Sequence, residues 1–185
     1  GVAPVGSVLP LSLRDPEGQP RVLVCHTPAG TLVFYRVDVP ESPRQQILRL
    51  EDRAYPEDMM RQILDGTRLG GVLRVRWYTM EPGSRGIAYP DVETTPRGFV
   101  IVIDGQEVSR AWTTQESDRA IEVEVETDAA YRGRGYARQV VAAWADWALT
   151  TGKVAFYSHL HTNTASAGVA RSLGLTHLSD DVEYV

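Results

Sequence analysis

Residues 121–127 read Ile-Glu-Val-Glu-Val-Glu-Thr, apolar and acidic by turns, which sends one set of side chains to each face of a strand. Two β-rich runs precede it, 98–103 and 106–115, joined by Asp104-Gly105, a dipeptide suited to a tight hairpin turn. The three runs predict an antiparallel meander. From 136 to 151 the period changes: Ala137, Val140, Val141, Trp144, Ala148 and Leu149 share one helical face, and Gly152 supplies a stop. Residues 154–160, Val-Ala-Phe-Tyr-Ser-His-Leu, return to a strand. A strand, helix, strand unit of this kind runs its strands parallel with a right-handed crossover. Asn163 and Thr164 can cap a last helix through Leu173, which Gly174 ends, and residues 175–185 supply one or two terminal strands.

The front half is less regular. Apolar runs at 21–26 and 31–39 flank Thr27-Pro28-Ala29-Gly30, a hairpin pattern. Ser42-Pro43 reads as a cap and first-turn proline opening a helix with Ile47, Leu48 and Leu50. Pro56 opens a second helix over 56–65, with Met59, Met60, Ile63 and Leu64 as its stripe and Gly66 as its stop. Between 67 and 97 the expectation is loop with some strand: 72–80 looks extended, 81–86 (Glu-Pro-Gly-Ser-Arg-Gly) looks like a turn, and prolines break 87–96. With no repeat or linker, the chain reads as one domain over 1–185, in which 1–30 form an N-terminal extension with a hairpin strand and 31–185 the core.

Composition narrows the function. A chain of 185 residues, 43% of them hydrophobic, can bury one sizeable core. Nineteen basic against 24 acidic residues give a formal charge of −5, which argues against nucleic acid as a main partner. The single cysteine, Cys25, excludes an intrachain disulfide and fits a reducing compartment, so a cytoplasmic location is expected. No run approaches a membrane span, and the opening GVAPVGSVLP has no charged stretch ahead of an apolar one, so neither a membrane partner nor a secretory leader is expected.

The chemistry gathers at residues 131–137, Tyr-Arg-Gly-Arg-Gly-Tyr-Ala, between the alternating strand and the long helix. A helix that starts on a glycine-rich turn presents unpaired amides and a partial positive charge, which together make an anion site. Arg132 and Arg134 add donors matched to phosphate oxygens. The plain alternative is a tight turn with two solvated arginines. A Walker loop needs Gly-Lys-Ser/Thr, whereas Tyr136 and Ala137 follow Gly135 here; a Rossmann fingerprint needs a third glycine where Arg138 stands. Both are disfavoured.

This stretch resembles the R/Q-x-x-G-x-G/A signature of the GNAT-type acyl-CoA N-acyltransferases. The likeness extends over about 31–185, through the tandem helices, the meander, the parallel strand, the spacing of Asn163, Ser166 and Gly174, and the closing Ser172-Leu173-Gly174-Leu175. It implies an α/β fold with a mixed, mostly antiparallel twisted sheet, flanked by helices, whose two parallel strands splay into a V. It further implies acetyl-CoA, or another short acyl-CoA, as co-substrate, with no metal. Gly133, Arg134, Gly135, Tyr136, Ala137 and Arg138, with Arg132, would surround the pyrophosphate. Backbone groups of Val125, Glu126 and Thr127 would pair with the pantetheine arm, a use of main-chain bonding, while Asn163 and Ser166 would lie by the thioester end or the arm. Helix capping explains Asn163, and small-residue packing Ser166, equally simply.

Direct acyl transfer to an amine needs a neutral nucleophile, a donor for the carbonyl oxygen and a proton for the departing thiolate. In the family a bulge in the central strand frees an amide for that oxygen. Glu122, Glu124 and Glu126 share a strand face, and Glu122 and Glu124 are the candidates for the base, although such a row is as readily a solvated face. The family's usual tyrosine is replaced by Ala170, which leaves Tyr157, Tyr184, Ser166 or water as proton sources. His159 and His161 point one way near Asp180 and Asp181 in sequence, without a third ligand in place for a metal. Trp144 and Trp147 suit burial against the sheet better than substrate stacking. The expected function is acyl-CoA-dependent transfer, most simply of acetyl, to a primary amine on a small molecule or peptide; the alternative is a non-catalytic acyl-CoA-binding module of the same fold. Exposed terminal strands would also allow a homodimer.

Overall fold

The computed structural model describes residues 7–8, 20–36, 38–50, 55, 57–64, 71–80 and 88–185. In chain order its elements are β1 (Ser7–Val8), β2 (Val22–Thr27), β3 (Gly30–Tyr35), α1 (Glu41–Leu48), α2 (Glu57–Leu64), β4 (Val72–Met80), β5 (Val92–Thr95), β6 (Gly98–Ile103), β7 (Gln106–Glu116), β8 (Ala120–Thr127), α3 (Tyr136–Thr150), β9 (Val154–Leu160), α4 (Thr164–Leu173) and β10 (Thr176–Tyr184). They fall into two compact units, one within Gly1–Arg76 plus Ser179–Val185, the other Trp77–Leu178.

In the first unit β2 and β3 form the expected hairpin, Val22↔Tyr35 to Thr27↔Gly30, and β10 lies antiparallel to β2 from Asp180↔His26 to Tyr184↔Val22. Val22, Val24, Tyr35, Ile47, Met60 and Leu64 make its core, all at 2% exposure or less. Helix α1 begins one residue before the predicted cap: Pro40 takes the cap position without a side-chain bond, and Ser42 and Pro43 sit in the first turn. In α2, Met60 and Leu64 are buried while Met59 is exposed, so the stripe is narrower than the sequence suggests. Pro56, Asp65, Gly66 and the 81–86 turn lie outside the described residues. The C-terminal strand is no edge. It bonds to β2 on one side, and on the other Val185 exchanges amide and carbonyl bonds with Gly71 while Asp180 holds Arg76 at 2.6 Å. One premise of the homodimer expectation, an exposed last strand, is therefore absent.

The second unit holds the meander. β5, β6, β7 and β8 pair antiparallel in succession, and Asp104 and Gly105 turn the middle hairpin with φ of 51° and 77°. Helix α3 lays Val140, Val141, Trp144, Ala145 and Ala148 on this sheet against Ile101, Ala111, Ile121 and Val123. Its alanines let the helix approach closely, and Trp144 adds both bulk and a bond from its indole N–H to Thr113 Oγ1 at 3.1 Å. Trp147, three residues on, falls at the rim of the stripe and stays 43% exposed against Phe99, so only one of the two tryptophans is buried as expected. Strand β9 runs parallel to β8, and the second half of β4 flanks it on its far side.

The register between β8 and β9 shapes the opening beside them. The parallel ladder runs from Ala120↔Val154 to Val123↔Tyr157 and stops, although β8 continues to Thr127 and β9 to Leu160. Beyond that vertex the two strands part and leave a V-shaped opening.

Candidate active site

At the end of β8, Asp128 accepts a bond from Ala130 N at 3.2 Å and caps a short 3-10 turn, Ala129–Tyr131. The chain then passes Gly133 and Gly135 in the left-handed region, with φ of 77° and 82°, and enters α3. Such angles strain any residue with a Cβ. Around both glycines a Cβ would meet nothing within 4 Å, so the space before them is open. Gly135 gives α3 no side-chain cap, which leaves the first-turn amides of Tyr136, Ala137 and Arg138 without an intrahelical acceptor. The other helix here is different: Asn163 caps α4, its Oδ1 accepting from Ser166 N at 3.0 Å.

A cavity of about 610 Å³ opens in front of α3, within the range of about 300–1,000 Å³ usual for ligand pockets. Strand β8 lines it with Val125, Glu126 and Thr127, and the loop and first helical turn with Arg132, Gly133, Gly135, Tyr136, Ala137 and Arg138. Asn163 and Ser166 come from α4. Arg134 is the predicted residue that does not line it; its Nη2 donates to Ala130 O at 3.2 Å and its guanidinium lies 5.1 Å from the centre of the Tyr131 ring. Arg132 stays on the wall while its Nε donates to Thr127 O at 3.1 Å. Sequence reasoning missed Ala165, Gly168, Val169 and Ser172, which bring a whole α4 face to the cavity. Their helical spacing and mostly small size were the available signal.

The backbone of β8 is divided between its two edges. Asp128 N donates to Val108 O at 2.9 Å, so by antiparallel alternation the main-chain groups of Glu126 and Glu124 face β7. Those of Val125 and Thr127 face the opening. Of the three residues predicted to offer main-chain bonds, Glu126 therefore offers only its side chain, which lies 3.9 Å from Arg110. The irregularity expected in the central strand also lies elsewhere: β8 is regular, and the extra residue, Thr114, bulges from β7 opposite Glu122 and Val123.

The glutamate row divides by environment. Glu122 is half-buried beside the vertex, where Ser158 Oγ donates to its Oε1 at 2.7 Å. Burial raises its pKa above the ordinary carboxylate value; the Ser158 bond pulls it down and the Glu124 charge pushes it up. Glu124 and Glu126 are exposed. Ala170 is fully buried. Both candidate phenols are engaged: Tyr157 O–H donates to Ser166 O at 3.3 Å, and Tyr184 O–H to Tyr55 O at 3.0 Å. Of the three protein groups weighed as proton sources, Ser166 alone reaches the cavity wall. His159 is buried, its Nδ1 donating to Leu160 O at 2.8 Å and its Nε2 lying 3.4 Å from the Tyr78 hydroxyl. Among the described residues, no three His, Cys, Asp or Glu side chains gather as metal ligands.

An open V beside an uncapped, glycine-led helix is the arrangement the loop motif implies, and comparison with known families bears on it directly. The family model for GNAT acetyltransferases matches residues 88–181, just over half of the chain. The chain belongs to the GNAT acetyltransferase family. Solved GNAT structures share its fold. A GNAT-family protein from Novosphingobium aromaticivorans superposes with a TM-score of 0.53 at 17% identity, over 63% of this chain and 65% of that one. A GNAT-family acetyltransferase from Colwellia psychrerythraea gives 0.53 at 13% identity, over 69% and 61%. An N-acetyltransferase-like protein from Streptococcus suis gives 0.50 at 18% identity, over 92% of this chain and 86% of that one. The chain thus spans less than two thirds of the first two relatives. No curated protein matches it. Among the described residues, no helix of this GNAT chain is long and apolar enough to cross a membrane.

Proposed function

We propose that this GNAT protein transfers an acetyl group from acetyl-CoA to a primary amine by direct attack. The observation that carries the reading is the join of two features in one cavity: the uncapped start of α3 behind Gly133 and Gly135, and the β8 edge that loses its partner after Val123. The first suits a pyrophosphate, whose charge meets free amides, the helix dipole and the guanidinium groups of Arg132 and Arg138. The second suits the pantetheine arm, which can bond to the main chain of Val125 and Thr127 as an added strand would. The acyl carbon then comes to the vertex, near Glu122.

There the amine nitrogen bonds to the thioester carbonyl carbon, the carbon–sulfur bond breaks, and the amine's proton passes to Glu122 directly or through one water. A half-buried carboxylate with a raised pKa is a stronger base than an exposed one, as this step requires. The sulfur leaves as thiolate and is protonated through Ser166 or by solvent. Acetyl-CoA offered with a panel of small amines, polyamines and peptides should release free thiol only when an acceptor is present, with an acetylated amine found by mass spectrometry. Tight coenzyme A binding with no turnover on any amine would favour the non-catalytic module, and no binding at all would refute both.

A further inference from the structure

The point where the β8–β9 ladder ends carries a side-chain bond as well as a change of direction. Val123↔Tyr157 is the last main-chain pair, and Ser158 is the first residue of β9 past it. Its hydroxyl reaches across to Glu122 on β8 at 2.7 Å. Ser158 and Glu122 lie on the sheet face opposite Tyr157 and Val123, which are buried in the core beside α3 and α4. The bond therefore spans the two strands at the vertex.

Resting on the acyltransfer reading, we propose that Ser158 is a positioning residue for the general base: by donating to Oε1 it fixes the Glu122 carboxylate at the vertex of the V and leaves Oε2 to take the amine's proton. A carboxylate on a strand otherwise swings freely about its last two torsions, and Phe156, the cross-strand neighbour of Glu122, offers no polar atom to hold it. On β7 the cross-strand partner is Gln115, which carries no charge, and Glu116 is engaged with Lys153. From its own strand only Glu124 acts on Glu122 electrostatically. The hydroxyl favours the ionised form, so it holds the base usable at lower pH than burial alone would allow.

The test uses the full chain with Ser158→Ala and Ser158→Thr, the second keeping the hydroxyl and suiting a strand. Carbon-13 NMR of labelled glutamate carboxyls, with Glu122 assigned by its absence in Glu122→Gln, reads the base without any acceptor. Ser158→Ala should raise the Glu122 pKa by about one pH unit, and Ser158→Thr should restore it. The acid limb of kcat/KM should move by the same amount, so that activity at a given pH on that limb falls about tenfold, while the alkaline plateau and coenzyme A affinity hold. An unmoved Glu122 titration in Ser158→Ala overturns the proposal whatever the enzyme does. A moved titration with an unmoved acid limb, or an acid limb that survives in Glu122→Gln, overturns it by showing that the base lies elsewhere. A chain that binds no acyl-CoA would instead sink the acyltransfer reading on which it rests.

Discussion

At single positions, Gly135 combines a left-handed backbone with open space in front of it. Its φ of 82° and the empty space where a Cβ would stand separate two effects that are usually confounded. Gly135→Ala should cost about 1 kcal/mol of stability through backbone strain while coenzyme A still binds. Gly135→Asp adds a negative charge where the pyrophosphate would sit and should weaken binding at least about a hundredfold, as calorimetry would show. Equal affinities in the two variants would contradict the placement of the diphosphate. Glu122 makes a second prediction through linkage. Its folded pKa is raised, so the folded state holds that proton more tightly than the unfolded chain, and the wild type loses stability as pH rises from the ordinary carboxylate value through the raised one. Glu122→Gln should remove that loss: it melts higher than wild type at pH 8 and gains nothing at pH 4. A melting difference independent of pH would assign the effect to packing.

Among the elements, the two helices that frame the cavity differ at their starts. Asn163 gives α4 a side-chain cap, so Asn163→Ala should cost about 1 kcal/mol in denaturant unfolding. If Asn163 only caps, acyl-CoA affinity should fall less than about threefold, since a lost ligand bond usually costs more. Ala170 sits fully buried one turn beyond Ser166, whose carbonyl already holds the Tyr157 hydroxyl. Ala170→Tyr should therefore destabilise by about 1–3 kcal/mol through overpacking and lower turnover rather than raise it. Higher turnover in that variant would mean that position 170 opens onto the reaction path after all.

The same elements show how far the sequence could be read. Strict alternation in 121–127, Asp104-Gly105 and the glycine-ended helical segments from 136 onward each encode their structure locally, and all appear as expected. The glycine loop was legible for the same reason: two glycines at positive φ and a helix start are short-range features. What differed depends on side-chain reach or on distant partners. Arg134 turns back because Ala130 O and the Tyr131 ring lie within its reach, the bulge belongs to β7 rather than β8, and the edge that Glu126 faces follows from the β7 register. Glu122 could be named as one of three carboxylates, but only the fold brings Ser158 to it from 36 residues away.

For the whole chain, the acidic balance argues against a polyanionic partner. With a formal −5, the arginines of the loop are a local exception in an acidic molecule. Single-stranded RNA should show no binding at about 10 μM protein in physiological salt, since the general electrostatic term needs a continuous cationic track. Salt-sensitive RNA binding in a filter or fluorescence assay would overturn that reading. The opening between β8 and β9 has its own bearing on partner choice. Unpaired strand edges ordinarily invite pairing with another polypeptide and then assembly. Here the exposed stretch lines a cleft that α3 and α4 wall. On the acyltransfer reading, the slender, unbranched amide-bearing arm of the cofactor takes the place along this edge that a further strand would otherwise fill.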